Sequence, residues 1–217
     1  MTKVKICGIT NISDLELVIS LGADAIGVIV DIPQSPRNTT RENARDIVRK
    51  TPVFTKTVLV MAPTSLEYAV SLCDYVEPDV VQIHGNELNL KDLSEATSGI
   101  KIIQTLNAEK IDDIDPVSID YCEAILLDSL TRNQLGGTGK VHDWRKSKMM
   151  VKLIKPKPLI LAGGLNPDNV KEAIELVKPY AVDVCTGTER SPGLKDPVKV
   201  QRFLSTVSEI DRRRINE

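Results

Sequence analysis

The stretch PLILAGGLNPDNVKEAIELVKPYAVDVCTGTE, residues 158–189, holds one full repeat of the architecture. Residues 159–162 and 181–185 are short apolar runs without polar alternation, which is how a strand reads when both of its faces are covered. Between them Asn166 and Pro167 supply a polar cap followed by proline at the first helical position, and helical spacing follows. A strand, a helix and a strand in so few residues form a parallel unit.

Working outward, the same kind of run recurs at residues 4–7, 25–30, 56–61, 80–84, 101–106 and 124–128, which with the first two makes eight. Helical segments lie between them. Three open on a Ser or Thr followed three residues later by Glu: Ser13 with Glu16, Thr39 with Glu42, and Thr64 with Glu67. A last helix opens on Asp196 and Pro197. The fifth helix, within residues 108–119, has a thin apolar stripe interrupted by Pro116. Eight strand–helix repeats joined by short connections predict a single (β/α)8 barrel over residues 1–217. The alternative is an open doubly wound sheet, but no G-x-G-x-x-G follows the first strand.

At 217 residues there is room for one such barrel and no second domain. A net charge of -2 and a pI near 5.8 give no field that draws nucleic acid or an anionic membrane, so the expected partner is a small molecule. No apolar run approaches the ~20 residues of a membrane span, and no charged leader with a long apolar core opens the chain. A cytoplasmic protein, monomer or homodimer, is expected. Cys7, Cys73, Cys122 and Cys185 form no CxxC pair, which argues against zinc and a disulfide framework and for reduced thiols. The charged tail, residues 211–217, reads as a frayed helix end.

Barrel chemistry gathers where the strands end at their C-terminal side. Cys7-Gly8 closes strand one, where a cysteine is either a buried small hydrophobe or, with positive charge nearby, a thiolate base. Strand six ends in Asp128-Ser129, whose carboxylate is either a loop brace or an acid. The glycine-rich residues 136–140 lack P-loop spacing and read as a lid. Gly163-Gly164 after strand seven and Gly187-Thr188 after strand eight let backbone N–H groups approach a phosphate. Arg37, in Ser35-Pro36-Arg37 after strand two, is either a surface charge or a bidentate grip on a carboxylate. His84 closes strand four and reads as a hydrogen-bonded brace, since no second metal ligand accompanies it.

Taken in order, Lys5-Ile6-Cys7-Gly8-Ile9, Ser35-Pro36-Arg37, Val81-Gln82-Ile83-His84-Gly85, Leu127-Asp128-Ser129, Gly136-Gly137-Thr138-Gly139 with Asp143-Trp144, Leu161-Ala162-Gly163-Gly164-Leu165 with Pro167 and Asn169-Val170, and Ser191-Pro192-Gly193-Leu194-Lys195-Asp196 resemble the phosphoribosylanthranilate isomerase family of tryptophan biosynthesis. The resemblance implies an Amadori rearrangement without a cofactor, with Asp128 as general acid and Cys7 as general base. It also implies Arg37 on the anthranilate carboxylate, Gly163, Gly164, Gly187 and Thr188 around the phosphate, and Asp183 on the substrate's polar groups. The chain departs from the family at Val28-Ile29-Val30-Asp31, where aromatics are usual, at His142, where Phe is usual, and at Cys185-Thr186, where Ser-Ser is usual. Two readings compete: the related histidine-pathway isomerase, which Cys7 and a single phosphate site disfavour, and a catalytically silent sugar-phosphate binder, which would need neither Cys7 nor Asp128.

Overall fold

A computed structural model of the chain describes residues 1–85, 87–97, 99–108, 119–129 and 142–216. The fifth helix expected at residues 108–119 and the lid at residues 136–140 fall outside the described residues, but for Ala108 and Ile119. The eight apolar runs form eight strands: β1 (Lys3–Ile6), β2 (Ala25–Val30), β3 (Lys56–Met61), β4 (Val80–Ile83), β5 (Lys101–Asn107), β6 (Ala124–Asp128), β7 (Leu159–Leu161) and β8 (Ala181–Val184). Each is parallel to the next, and β1 pairs with both β2 and β8, so the sheet closes into a barrel and no open edge remains.

Several strands stop one residue sooner than their apolar runs. Cys7, His84, Ala162 and Cys185 sit just past the ladder, although the Cys7 amide still donates to the Val184 carbonyl at 2.9 Å. Because side chains alternate across a strand, two packed layers result. One lies between sheet and helices and holds Ile6, Leu59, Ile83, Leu127 and Val184; the other fills the barrel and holds Cys7, Val58, Val60, Leu126, Ile160 and Ala162. The same alternation puts Lys5 with Cys7, Gln82 with His84, and Asp183 with Cys185 on the barrel side.

The helices are α1 (Ile12–Ser20), α2 (Arg41–Lys50), α3 (Leu66–Val76), α4 (Leu90–Ala96), α5 (Trp144–Leu153), α6 (Val170–Val177) and α7 (Pro197–Asn216). Their starts correct the expected capping boxes. Asn11, Thr40 and Ser65 are the caps, accepting from Asp14 N, Asn43 N and Tyr68 N. At α1 the reciprocal pair is Asn11 with Asp14, with Asn11 Nδ2 donating to Asp14 Oδ2 at 3.0 Å, so an amide and an Asp take the roles that Ser13 and Glu16 were expected to fill. Asn166 also starts no helix. Its side-chain oxygen accepts from Asp168 N and Asn169 N to cap a turn, and α6 begins only at Val170. At α7 the expected cap holds, with Asp196 Oδ1 accepting from Val198 N and Lys199 N.

The tail is tied down for at least its first residue, since buried Asp211 accepts from the Thr2 amide at 2.8 Å. Among the described residues no helix is long and apolar enough to cross a membrane.

Candidate active site

The end of β1 packs against the end of β8. Ile6 is level with Val184, so Cys7 and Cys185 are neighbours across the closing seam. Three glycines make this crowding possible. A Cβ on Gly27, in β2, would lie 2.8 Å from Cys7 Sγ and 3.1 Å from Lys5 Nζ. One on Gly8, whose φ is +76°, would lie 2.8 Å from Cys185 Sγ. One on Gly187 would fall 2.0 Å from the Leu165 carbonyl, so only glycine lets the loops after β7 and β8 meet.

Charge in the barrel is concentrated on the seam. Lys5 Nζ is buried and bonds Asp183 Oδ1 at 2.9 Å. Burial alone would lower its pKa, but the Asp183 and Cys7 charges outweigh that and raise it, so Lys5 stays an ammonium. A second buried cluster lies beneath. Arg37 donates from Nε and Nη2 to both Glu189 oxygens, the shortest contact being 2.6 Å, and Nη2 reaches Thr186 Oγ1 at 3.2 Å. Lys195, fully buried, donates to the Cys7 carbonyl at 2.6 Å, the Cys185 carbonyl at 3.3 Å and Glu189 Oε1 at 3.3 Å. These charges are all paired and hydrogen-bonded, as buried ions must be; leaving one unpartnered would cost about 3–5 kcal/mol.

These surroundings move two groups toward neutrality. The Cys7 thiol is pulled down by the Cys185 hydrogen bond, opposed by its own burial and the Asp183 charge and aided by Lys5; Cys185 is driven up correspondingly. Across the mouth, Asp128 at the end of β6 is pushed up to about 6, by burial first and the Asp183 charge second. His84 is pushed down to about 4 by burial and by Lys5. It is neutral, and its Nε2 accepts from Gln82 Nε2 at 3.1 Å, which makes it the expected brace.

A narrow cleft between the ends of β6, β7 and β8 is lined by Asp128, Gly163, Gly164, Asp183, Thr186 and Gly187 among others. Gly163 and Gly164 take φ of +83° and +69° there. Thr188 does not line it. Its hydroxyl and its amide both go to the Cys185 carbonyl, at 2.9 and 3.2 Å, and the side chain is fully buried. Its hydroxyl and amide are thus spent on the turn, while Thr186 two residues earlier lines the cleft. Arg37 lies by the mouth with its Nε–Nη2 edge on Glu189, so only the Nη1 side lies outside that fork.

After β6 Ser129 Oγ meets His142 Nδ1 at 2.8 Å, and His142 Nε2 meets Ser147 Oγ at 2.5 Å. A Cβ on Gly163 would lie 2.3 Å from Ser129 Oγ and 2.5 Å from Ser129 N. Gly163→Ala is therefore expected to cost roughly 2–4 kcal/mol, from left-handed strain plus a backbone clash, as read by urea unfolding. A loss under about 0.5 kcal/mol would contradict this packing.

Of the expected residues, Asp128, Asp183, Gly163, Gly164 and Gly187 line one cleft, and Cys7 lies beside Cys185, which also lines it. Lys5, Glu189 and Lys195 were missed. A signal for the first was present: Lys5 and Asp183 are opposite charges inside otherwise apolar strands, which burial forbids unless they pair.

Comparison with known proteins agrees with this geometry. The model of the family described as N-(5'phosphoribosyl)anthranilate (PRA) isomerase matches residues 4–206. The isomerase of that name from Haloferax volcanii is 42% identical over 210 residues, covering 94% of this chain and 92% of its own. The crystal structure of the phosphoribosyl anthranilate isomerase of Thermotoga maritima superposes with a TM-score of 0.83 at 35% identity, covering 96% of this chain and all of that one. A structure of such an isomerase in complex with reduced 1-(o-carboxyphenylamino)-1-deoxyribulose 5-phosphate gives 0.79 at 33% identity, covering 96% of this chain and 100% of that one. With the closed eight-stranded parallel barrel and these matches over nearly its whole length, the chain belongs to the phosphoribosylanthranilate isomerase family, enzymes of tryptophan biosynthesis.

Proposed function

We propose that the chain isomerises N-(5'-phosphoribosyl)anthranilate to 1-(2-carboxyphenylamino)-1-deoxyribulose 5-phosphate by general acid–base catalysis, with Asp128 as acid and Cys7 as base. The observation that carries this reading is placement: Asp128 at the end of β6 lines the same cleft as Asp183 and Cys185, and Cys7 sits beside Cys185 across the seam, its thiol pulled down while the Asp128 carboxyl is pushed up. Groups with pKa values drawn toward the working pH transfer protons best in both directions. Asp128 gives its proton to the ribose ring oxygen, the C1'–O bond breaks, and the anthranilate nitrogen lone pair forms the Schiff base. Cys7 then takes the C2' proton, leaving an enolamine that tautomerises to the ketone. No electrons leave the substrate, so no cofactor is called for.

The phosphate is assigned to the cleft at Gly163, Gly164 and Gly187, where Gly163 and Gly164 take left-handed backbone angles and Thr186 lines the wall. Arg37, clamped by Glu189, offers its remaining edge to the anthranilate carboxylate. Asp183, ion-paired with Lys5, stands within the same cleft for the ribose hydroxyls. The substrate is a small molecule, and a cytoplasmic monomer or homodimer suits it; a Thermotoga maritima relative is described as dimeric.

Freshly prepared phosphoribosylanthranilate mixed with the protein should lose its anthranilate fluorescence far faster than it hydrolyses alone. A rate equal to the spontaneous one would overturn the assignment.

A further inference from the structure

We propose that Lys5 is a positioning residue for the reaction, its buried ammonium serving as the counter-charge beside the Cys7 thiolate while Asp183 holds it in place. The proposal rests on the reading of Cys7 as the base. Lys5 and Cys7 are two residues apart on one strand, so both side chains project to the barrel interior. The empty Cβ position of Gly27 locates them together, with Lys5 Nζ 3.1 Å and Cys7 Sγ 2.8 Å from that one point. Any other residue at Gly27 would push the ammonium or the sulfur aside. Asp183 at 2.9 Å fixes the ammonium on its far side.

The division of labour among the neighbouring charges supports this. Glu189 is shared between Arg37 and Lys195, and Lys195 spends its ammonium on the Cys7 and Cys185 carbonyls and on Glu189. Cys185 stands beside the sulfur across the seam. Among the described residues Lys5 is thus the cation in the inward-facing rows that hold Cys7 and Asp183. Since it also lies within the field of Asp128, one ammonium faces both the base and the acid. As the thiolate forms, a positive charge is already fixed beside it in a site largely closed to water, where such a pairing is strong.

The test is the pH at which the Cys7 thiolate appears, read from thiolate ultraviolet absorbance as the difference between each protein and its Cys7→Ser counterpart. Lys5→Met should move that midpoint up by about one pH unit or more, and Asp183→Asn should move it down, because it removes a neighbouring negative charge. If Lys5→Met does not fold, with buried Asp183 left unpaired, the double variant Lys5→Met with Asp183→Asn removes both charges at nearly constant volume. Its midpoint should lie above that of Asp183→Asn alone, and the acidic limb of the kcat/KM profile should shift with it. Coincident midpoints in those two proteins would overturn the proposal, since a purely structural role would move stability and leave thiol ionisation where it was. The failures are separable. Full activity in Cys7→Ala would overturn the base assignment whatever Lys5 does to the thiol, and an inactive Cys7→Ala with unmoved midpoints would overturn the role of Lys5 alone.

Discussion

Replacing Cys7 by alanine should lower kcat/KM for N-(5'-phosphoribosyl)anthranilate by about two to four orders of magnitude while leaving the barrel folded. The loss of one sulfur from a buried site is a small packing change. The strand pairing it touches runs through the Cys7 amide to Val184, and Lys195 bonds the Cys7 carbonyl; both are backbone contacts that alanine keeps. What alanine cannot do is take the C2' proton. Serine would keep the shape but hold its proton at neutral pH, so Cys7→Ser should be nearly as inactive. Fluorescence assays with circular dichroism as the fold control decide the matter: activity within about threefold of the parent in either variant would mean that another group is the base.

Asp128→Asn should lose activity by a comparable two to four orders of magnitude, yet become more stable at pH 8. The Asp128 pKa rises on folding, from the ordinary carboxylate range to about 6, chiefly because the carboxyl is buried. The sign follows directly. Below the unfolded value both states carry the proton and nothing is lost; as pH climbs through about 6 the folded protein must ionise a buried acid, and stability falls. Asparagine removes that cost, worth on the order of 2 kcal/mol, and shows as a higher urea midpoint at pH 8 that vanishes near pH 4. A residue acting only as a structural brace would give the opposite, a loss of stability at every pH. In the parent enzyme, kcat/KM should climb as Cys7 deprotonates and decline as Asp128 loses its proton, a bell with its maximum near neutrality.

The barrel was legible because its signals are local. Val and Ile runs without alternation mark strands covered on both faces, and three of the eight have the expected ends at β2, β3 and β6. Cap positions were less so. Asn11, Thr40 and Ser65 compete with nearby Ser and Thr that match the same pattern, and only the turn geometry chooses between them. In the site, residues at strand ends could be named from their position, but which donors remain free is a property of tertiary contacts. Thr188 gives its hydroxyl to the Cys185 carbonyl, and Arg37 meets Glu189, 152 residues away. Neither pairing leaves a trace in spacing. Lys5 with Asp183 did leave one, in the form of isolated charges within apolar strands.

The seam between β1 and β8 gives the enzyme a property in time. Cys7 leaves the ribosome well before Asp183, Cys185 and Lys195, which lie on or after the last strand of the barrel. Until the final strand docks, the thiol is an ordinary cysteine on an unfinished sheet, no more acidic than a free one. Catalytic competence therefore arrives only when β8 docks on β1, and it reports that the circle is complete. A chain cut anywhere between the two ends yields two inert halves, whose activity returns only when they reassemble.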